Sequence, residues 1–182
     1  MFADLKKRNL KNLNEKNLLI QILSVAYFLQ KLKTKVVVAE SCTGGLLSSS
    51  LTQLTGSSLW FEHGIVSYSN NSKIKFLNVN FSNLNKKGAV SNEIAIEMAN
   101  GLIAEKDKKL VSISITGIAG PTGEMPNKPN GLVYFGISGG YGAYGESQIF
   151  IGNREKVRNS STFWALMMIT TYLGQIIKSN SK

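Results

Sequence analysis

The sequence predicts an α/β domain, a three-layer α/β/α sandwich built on a mixed, mainly parallel sheet. Three observations predict it. Short β-branched or apolar runs at residues 36–39, 65–68, 110–115 and 131–138 have the length of buried strands. Between them lie longer stretches whose apolar residues recur at three- and four-residue spacing, as helices require. With 182 residues, 43% of them hydrophobic, the chain is one domain's worth and can fill one core.

Taken in order, residues 1–14 are polar and charged and read as an extension to a core of 15–178 within a single domain, 1–182. Leu18, Leu19, Ile22, Leu23, Ala26 and Tyr27 then mark a first helix. Gln21 interrupts this apolar run and no small-residue cleavage site follows, so a secretion signal is not expected. The strand at 36–39 runs into Glu40-Ser41-Cys42-Thr43-Gly44-Gly45, and a helix is expected over 46–54. A second strand is expected at 65–68. The six asparagines of 70–85 predict turns and loop around a short helix. Ser91 should cap a helix with Glu93 in its first turn and Ile94, Ala95, Met98, Ala99, Leu102 and Ile103 on its apolar face. The strand at 110–115 enters Thr116-Gly117-Ile118-Ala119-Gly120-Pro121-Thr122-Gly123, and 123–131 reads as a surface loop. Strands at 131–138 and 148–151 follow. Asn153 should cap a final helix reaching about Lys178, with Val157, Trp164, Met168 and Tyr172 inward.

Composition narrows the chemistry. One cysteine and one histidine leave no disulfide framework and no multi-cysteine zinc site, and no metal-ligand set is expected. No apolar run approaches the ~18 residues of a membrane span, so a cytoplasmic location without membrane contact is expected. The net charge of +10 is concentrated at the start, where residues 1–35 hold eight bases and two acids. A solvated helix face explains this cluster most simply; an assembly surface is the second reading. Nucleic acid comes last, because aromatics are not interleaved with the bases. Against eighteen lysines there are three arginines, Arg8, Arg154 and Arg158. Their planar fork suits carboxylate or phosphate.

Two loops sit where open α/β sheets bind ligands, beyond strand C-termini. In the first, residues 40–45, Ser41 is either a nucleophile or a helix N-cap, and the G-x-S-x-G elbow is absent. In the second, Gly117, Gly120 and Gly123 match neither the Rossmann nor the phosphate-loop spacing. They make either a phosphate or ribose cradle or a plain tight turn. A Cys42–His63 thiol pair is a further, weaker option, since lone cysteines are mostly small buried hydrophobes. A serine nucleophile without histidine needs a lysine base, and spacing alone selects none of the eighteen.

The segments Ala39-Glu40-Ser41-Cys42-Thr43-Gly44-Gly45, Gly56-Ser57-Ser58-Leu59-Trp60-Phe61-Glu62, Tyr68-Ser69-Asn70, Gly88-Ala89-Val90-Ser91, Gly117-Ile118-Ala119-Gly120-Pro121, Lys128-Pro129-Asn130-Gly131 and Gly152-Asn153-Arg154 occur together and in this order. Over about residues 15–178 the chain thereby resembles the C-terminal domain of the competence/damage-inducible protein CinA, a domain that also exists as a stand-alone nicotinamide mononucleotide amidase. The resemblance implies hydrolysis of the nicotinamide carboxamide to nicotinic acid mononucleotide and ammonia in pyridine-nucleotide salvage. It implies a small nucleotide substrate, no metal or other cofactor, and a homo-oligomer of two or more copies. It assigns the nucleophile to Ser41, the tyrosine to Tyr68, the lysine to Lys73 and the hydroxyl before Gly-Ile-Ala-Gly to Thr116. Substrate contacts are expected from Glu40, Thr43, Gly44, Gly45, Asn70, Gly117, Gly120 and Arg154. In the expected mechanism Lys73 activates Ser41, amides around 43–45 hold the oxyanion, and an acyl-enzyme is hydrolysed. Direct attack by lysine-activated water stays open, as do a nucleotide-binding module without turnover and a competence-associated DNA-interacting protein. For Arg154 a phosphate grip and a helix-end salt bridge both stand. His63 replaces a common arginine, Asn153 an aspartate and Thr116 a frequent serine, and 124–127 departs from the family's glycine-rich acidic loop. The larger family protein carries an N-terminal pyrophosphatase domain that this sequence does not contain.

Overall fold

The computed structural model describes residues 14–103 and 109–180. The polar extension and its basic cluster at 1–13 lie outside them. Five strands, β1 (Lys35–Glu40), β2 (Phe61–Val66), β3 (Leu110–Gly117), β4 (Leu132–Ser138) and β5 (Tyr144–Ile149), form one sheet in the order β2-β1-β3-β4-β5. β1 pairs in parallel with both β2 and β3, while β4 is antiparallel to both β3 and β5. The sheet is therefore mixed, with its parallel part around β1.

Six helices among the described residues cover the two faces. Helices α1 (Glu15–Leu32), α2 (Leu46–Thr52) and α6 (Arg154–Asn180) share a core with Val36, Val38, Ile113, Ile115, Val133 and Phe135. Helices α3 (Asn70–Leu77), α4 (Phe81–Lys87) and α5 (Asn92–Asn100) share the opposite core with Val37 and Ala39. This is the expected three-layer sandwich.

Local chemistry explains most element ends. Asn14 caps α1 by accepting from the Asn17 amide at 2.9 Å, and Asn153 caps α6 by accepting from the Lys156 amide at 2.9 Å. Of the residues that mark the first helix, only some turn inward. Ile22, Val25, Ala26 and Leu29 are buried, whereas Leu23 and Tyr27 are half-exposed. Its apolar residues cover more than one face, so periodicity alone did not fix the rotation. At α5, Ser91 occupies the N-cap position, but its hydroxyl donates to the Gly88 carbonyl at 2.9 Å instead of capping.

Three expectations needed correction. β2 lies at 61–66, not 65–68, because it is an edge strand whose exposed Glu62, His63 and Gly64 carry no apolar run. β5 lies at 144–149, not 148–151, for the same reason at the other edge. Residues 70–85 form parts of two helices instead of one in loop. The asparagines act there as terminators: Asn80 caps α4, and Asn78 ends α3 with left-handed backbone at φ 52°.

Candidate active site

Strand alternation aims the central residues. Along β1, Val36 and Val38 face the α1/α2/α6 core, and Val37 and Ala39 face the α3/α4/α5 core. By the same period of two, Glu40 turns toward α2 and Ser41 toward α3. The Ser41 amide donates to the Ile115 carbonyl at 2.9 Å, carrying the ladder one residue past the strand. On β3, Ile113 and Ile115 face the first core, so Thr116 shares the side of Ser41.

The chain leaves β1 toward α2 on one face and β2 toward α3 on the other. Divergent exits of this kind open a crevice at the strand ends. Into it α3 brings Lys73. Ser69 caps α3 by accepting from the Ser72 amide at 3.1 Å, which fixes the helix and places Lys73 on its second turn. The Lys73 side chain is buried, with 1% of its surface exposed. Its Nζ lies 3.0 Å from Ser41 Oγ, 2.7 Å from the Ser67 carbonyl and 3.3 Å from the Tyr68 carbonyl. Burial lowers its pKa from 10.5 to about 8. Carbonyls only accept. In the neutral amine the two N–H bonds therefore serve Ser67 and Tyr68, leaving the lone pair for the Ser41 hydroxyl. This is the geometry of a base beside a nucleophile.

Ser41, Lys73, Tyr68 and Thr116 all line one cleft of about 240 Å³, together with Gly117, Gly120 and Arg154. Thr116 is buried and donates to the Ala89 carbonyl at 2.9 Å. Arg154 donates to the Gly120 carbonyl at 2.9 Å and to Tyr68 Oη at 3.1 Å. Gly123 of the expected glycine loop also lines the cleft, as does Cys42, whereas sequence reasoning missed Ala89, Val90, Ile118, Ala119 and Thr122. Arg158, one of the three arginines whose fork suits carboxylate or phosphate, instead donates through Nη2 to the Thr43 carbonyl at 2.7 Å and pins the turn after the serine.

Other expected site residues lie elsewhere. Asn70 is exposed at the start of α3, outside the cleft lining. Glu40 is fully buried and binds its own chain. Oε2 accepts from the Gly45 and Leu47 amides at 3.0 and 3.1 Å, and Oε1 from the Ser48 amide and hydroxyl, both at 2.8 Å. Its carboxylate thus occupies the positive N-terminus of α2. Gly44 and Gly45 take left-handed backbone, φ 59° and 99°, to make the turn. Their amides serve Ser41 O and Glu40, so neither is free for a ligand. The Glu40 parity was legible in β1, had the strand alternation been extended to its last residue. The Cys42 thiol is buried and pushed up to about 12, and His63 sits exposed on β2 outside the cleft. Among the described residues no group of three or more His, Cys, Asp or Glu could hold a metal ion, and no helix is long and apolar enough to cross a membrane.

This geometry has relatives. Residues 21–173 match the sequence profile of the CinA C-terminal domain. A nicotinamide-nucleotide amidohydrolase, PncC, from Enterobacter agglomerans is 42% identical over 145 residues, covering 79% of this chain and 86% of that protein. A CinA-like protein from Kosmotoga olearia is 47% identical over 143 residues, 78% of this chain but 34% of its own length. The chain spans about a third of the length of such longer relatives, 34% and 36% for two of them. A crystal structure of a competence/damage inducible protein from Agrobacterium tumefaciens superposes with a TM-score of 0.81 at 31% identity, covering 87% of this chain and 96% of that one. A CinA superfamily protein from Escherichia coli gives a TM-score of 0.80 at 30% identity, with coverage of 91% and 95%. The chain belongs to the CinA C-terminal domain family.

Proposed function

We propose that the protein hydrolyses the carboxamide of nicotinamide mononucleotide, giving nicotinic acid mononucleotide and ammonia. The observation that carries this reading is the buried Lys73 amine, 3.0 Å from Ser41 Oγ with two carbonyls claiming its N–H bonds. Similarity to a nicotinamide-nucleotide amidohydrolase supports the substrate. Neutral Lys73 takes the Ser41 proton as Oγ bonds to the amide carbon. The Lys73 ammonium returns that proton to the amide nitrogen, the C–N bond breaks, and ammonia leaves an ester on Ser41. Water then attacks the ester, Lys73 again taking the proton, and carboxylate and free Ser41 result.

The oxyanion needs a donor, and the amides of Gly44 and Gly45 are engaged. The Cys42 and Thr43 amides follow the nucleophile and have no backbone acceptor among the described residues, so the donor comes from this pair. Thr116 and Tyr68 flank the reacting group, and Arg154 at the cleft mouth takes the phosphate with its planar fork. The test is incubation of the purified protein with nicotinamide mononucleotide in chelator, following ammonia and the nicotinate product. Release that survives chelator and is lost in Ser41→Ala supports the reading. Absence of ammonia release from the wild type refutes it.

A further inference from the structure

The geometry points to Arg154 as a coupling residue that ties the Tyr68 hydroxyl at the cleft mouth and releases it when a dianionic phosphate takes its guanidinium. The inference rests on the nucleotide amidase reading and goes beyond it, because it makes the phosphate matter for turnover as well as for binding.

Tyr68 touches both halves of the cleft. Its backbone carbonyl lies 3.3 Å from Lys73 Nζ, while its hydroxyl oxygen accepts from Arg154 Nη2 at 3.1 Å. The other arm of the same guanidinium, Nη1, donates to the Gly120 carbonyl at 2.9 Å. Arg154 thus straps the loop after β2 to the loop after β3 across the cleft mouth. Tyr68, although it lines the cleft, keeps 61% of its surface exposed. Both tethers are neutral acceptors, the phenol exposed and the carbonyl part-buried. A phosphate offers the fork two charged oxygens in the bidentate geometry it fits best, so it outcompetes a phenol and a carbonyl. Losing the tether leaves an aromatic ring free beside the bound substrate. The nicotinamide ring of the mononucleotide is a pyridinium cation, and covering it satisfies an aromatic face that is otherwise in water. A residue that only gripped phosphate would contribute uniform binding and change KM alone.

Two measurements test this, one without turnover. In protein carrying 3-fluorotyrosine, with the residue 68 signal assigned by Tyr68→Phe, inorganic phosphate should move that ¹⁹F resonance saturably in the wild type and not in Arg154→Gln. A resonance that stays still, or moves equally in the variant, overturns the inference whatever the substrate proves to be. In the kinetic arm, the phosphate-free riboside should turn over with a kcat at least ~10-fold below that of the mononucleotide, and phosphite dianion should restore much of it. Arg154→Gln should lower the mononucleotide kcat toward the riboside value and abolish the phosphite effect. A phosphate or Arg154 effect confined to KM overturns the coupling while leaving the amidase reading intact. No hydrolysis of either substrate sinks the amidase reading alone.

Discussion

Replacing Lys73 by Met should separate catalysis from stability in a pH-dependent way. Burial lowers the Lys73 amine from 10.5 to about 8. At ~1.4 kcal/mol per pH unit, that shift corresponds to about 3 kcal/mol against the charged form in the folded chain. The sign follows from proton binding. Between about pH 8 and 10.5 the unfolded chain holds a proton on residue 73 that the folded chain has released, so wild-type stability rises with pH there. Below about 8 both states are protonated and the full cost is present. Methionine is unbranched, ends one atom short of the Lys73 amine and does not titrate. The stability difference, wild type minus Lys73→Met, should therefore move about 3 kcal/mol toward the wild type from pH 7.5 to 10.5. At pH 7 the variant should be the more stable, less ~1–3 kcal/mol for the Ser67 and Tyr68 carbonyls left without a donor. Urea unfolding at several pH values measures this, with other titrating groups cancelling between the two proteins. Activity should vanish in the variant, and wild-type kcat/KM should rise with pH and level off above about 8. Parallel stability curves would show an ordinary amine and remove the base from the mechanism.

The remaining expectations concern the scaffold around that pair. Glu40→Gln, which turns an amide group against three backbone N–H bonds and the Ser48 hydroxyl, should cost about 3 kcal/mol and lower Tm by ~6–12 °C, with kcat falling more than KM rises; Ser48→Ala should cost only ~1 kcal/mol. A Cβ at Gly136 would lie 2.2 Å from the Ala95 carbonyl, so Gly136→Ala should destabilise by ~1–3 kcal/mol, whereas Gly174 in α6 has nothing within 4 Å and Gly174→Ala should stabilise by ~0.5–1 kcal/mol in thermal unfolding. The Cys42 thiol, buried and raised to about 12, should resist iodoacetamide at pH 8 with activity intact, and rapid inactivation would return the thiol to the list of nucleophiles.

What could be read in the sequence was local pattern. A continuous β-branched run located β1, which is buried on both faces; apolar spacing located α5 and α6, and a single asparagine located the start of α6. Edge strands carry neither run nor spacing. β2 is fixed by its parallel ladder to β1, from Val36 opposite Phe61 to Glu40 opposite Val66, and that partner is invisible locally. The asparagines of 70–85 spoke for turns and in fact end two short helices, one of which carries the lysine of the site. Nothing in the spacing of 41 and 73 singles out that lysine. Only the family resemblance did so, because the contact spans 32 residues and depends on where β2 lets the chain go.

Glu40 and Ser41 show how one backbone period assigns two opposite tasks to neighbouring residues. Both stand at the same sheet edge, and an acid beside a serine invites a role in substrate contact for each. Alternation sends them to different faces. The carboxylate goes under α2, where it spends its charge on the amides of Gly45, Leu47 and Ser48. The hydroxyl goes to the face of α3, where Lys73 waits and where Thr116, on the matching parity of β3, joins it. A carboxylate on the Ser41 side would pair with the amine and hold it charged. By turning Glu40 away, the strand keeps an anion from the Lys73 amine while using that same anion to hold the turn after Ser41. The parity of β1 thus leaves burial to set the low basicity of Lys73, while Glu40 holds the turn that follows Ser41.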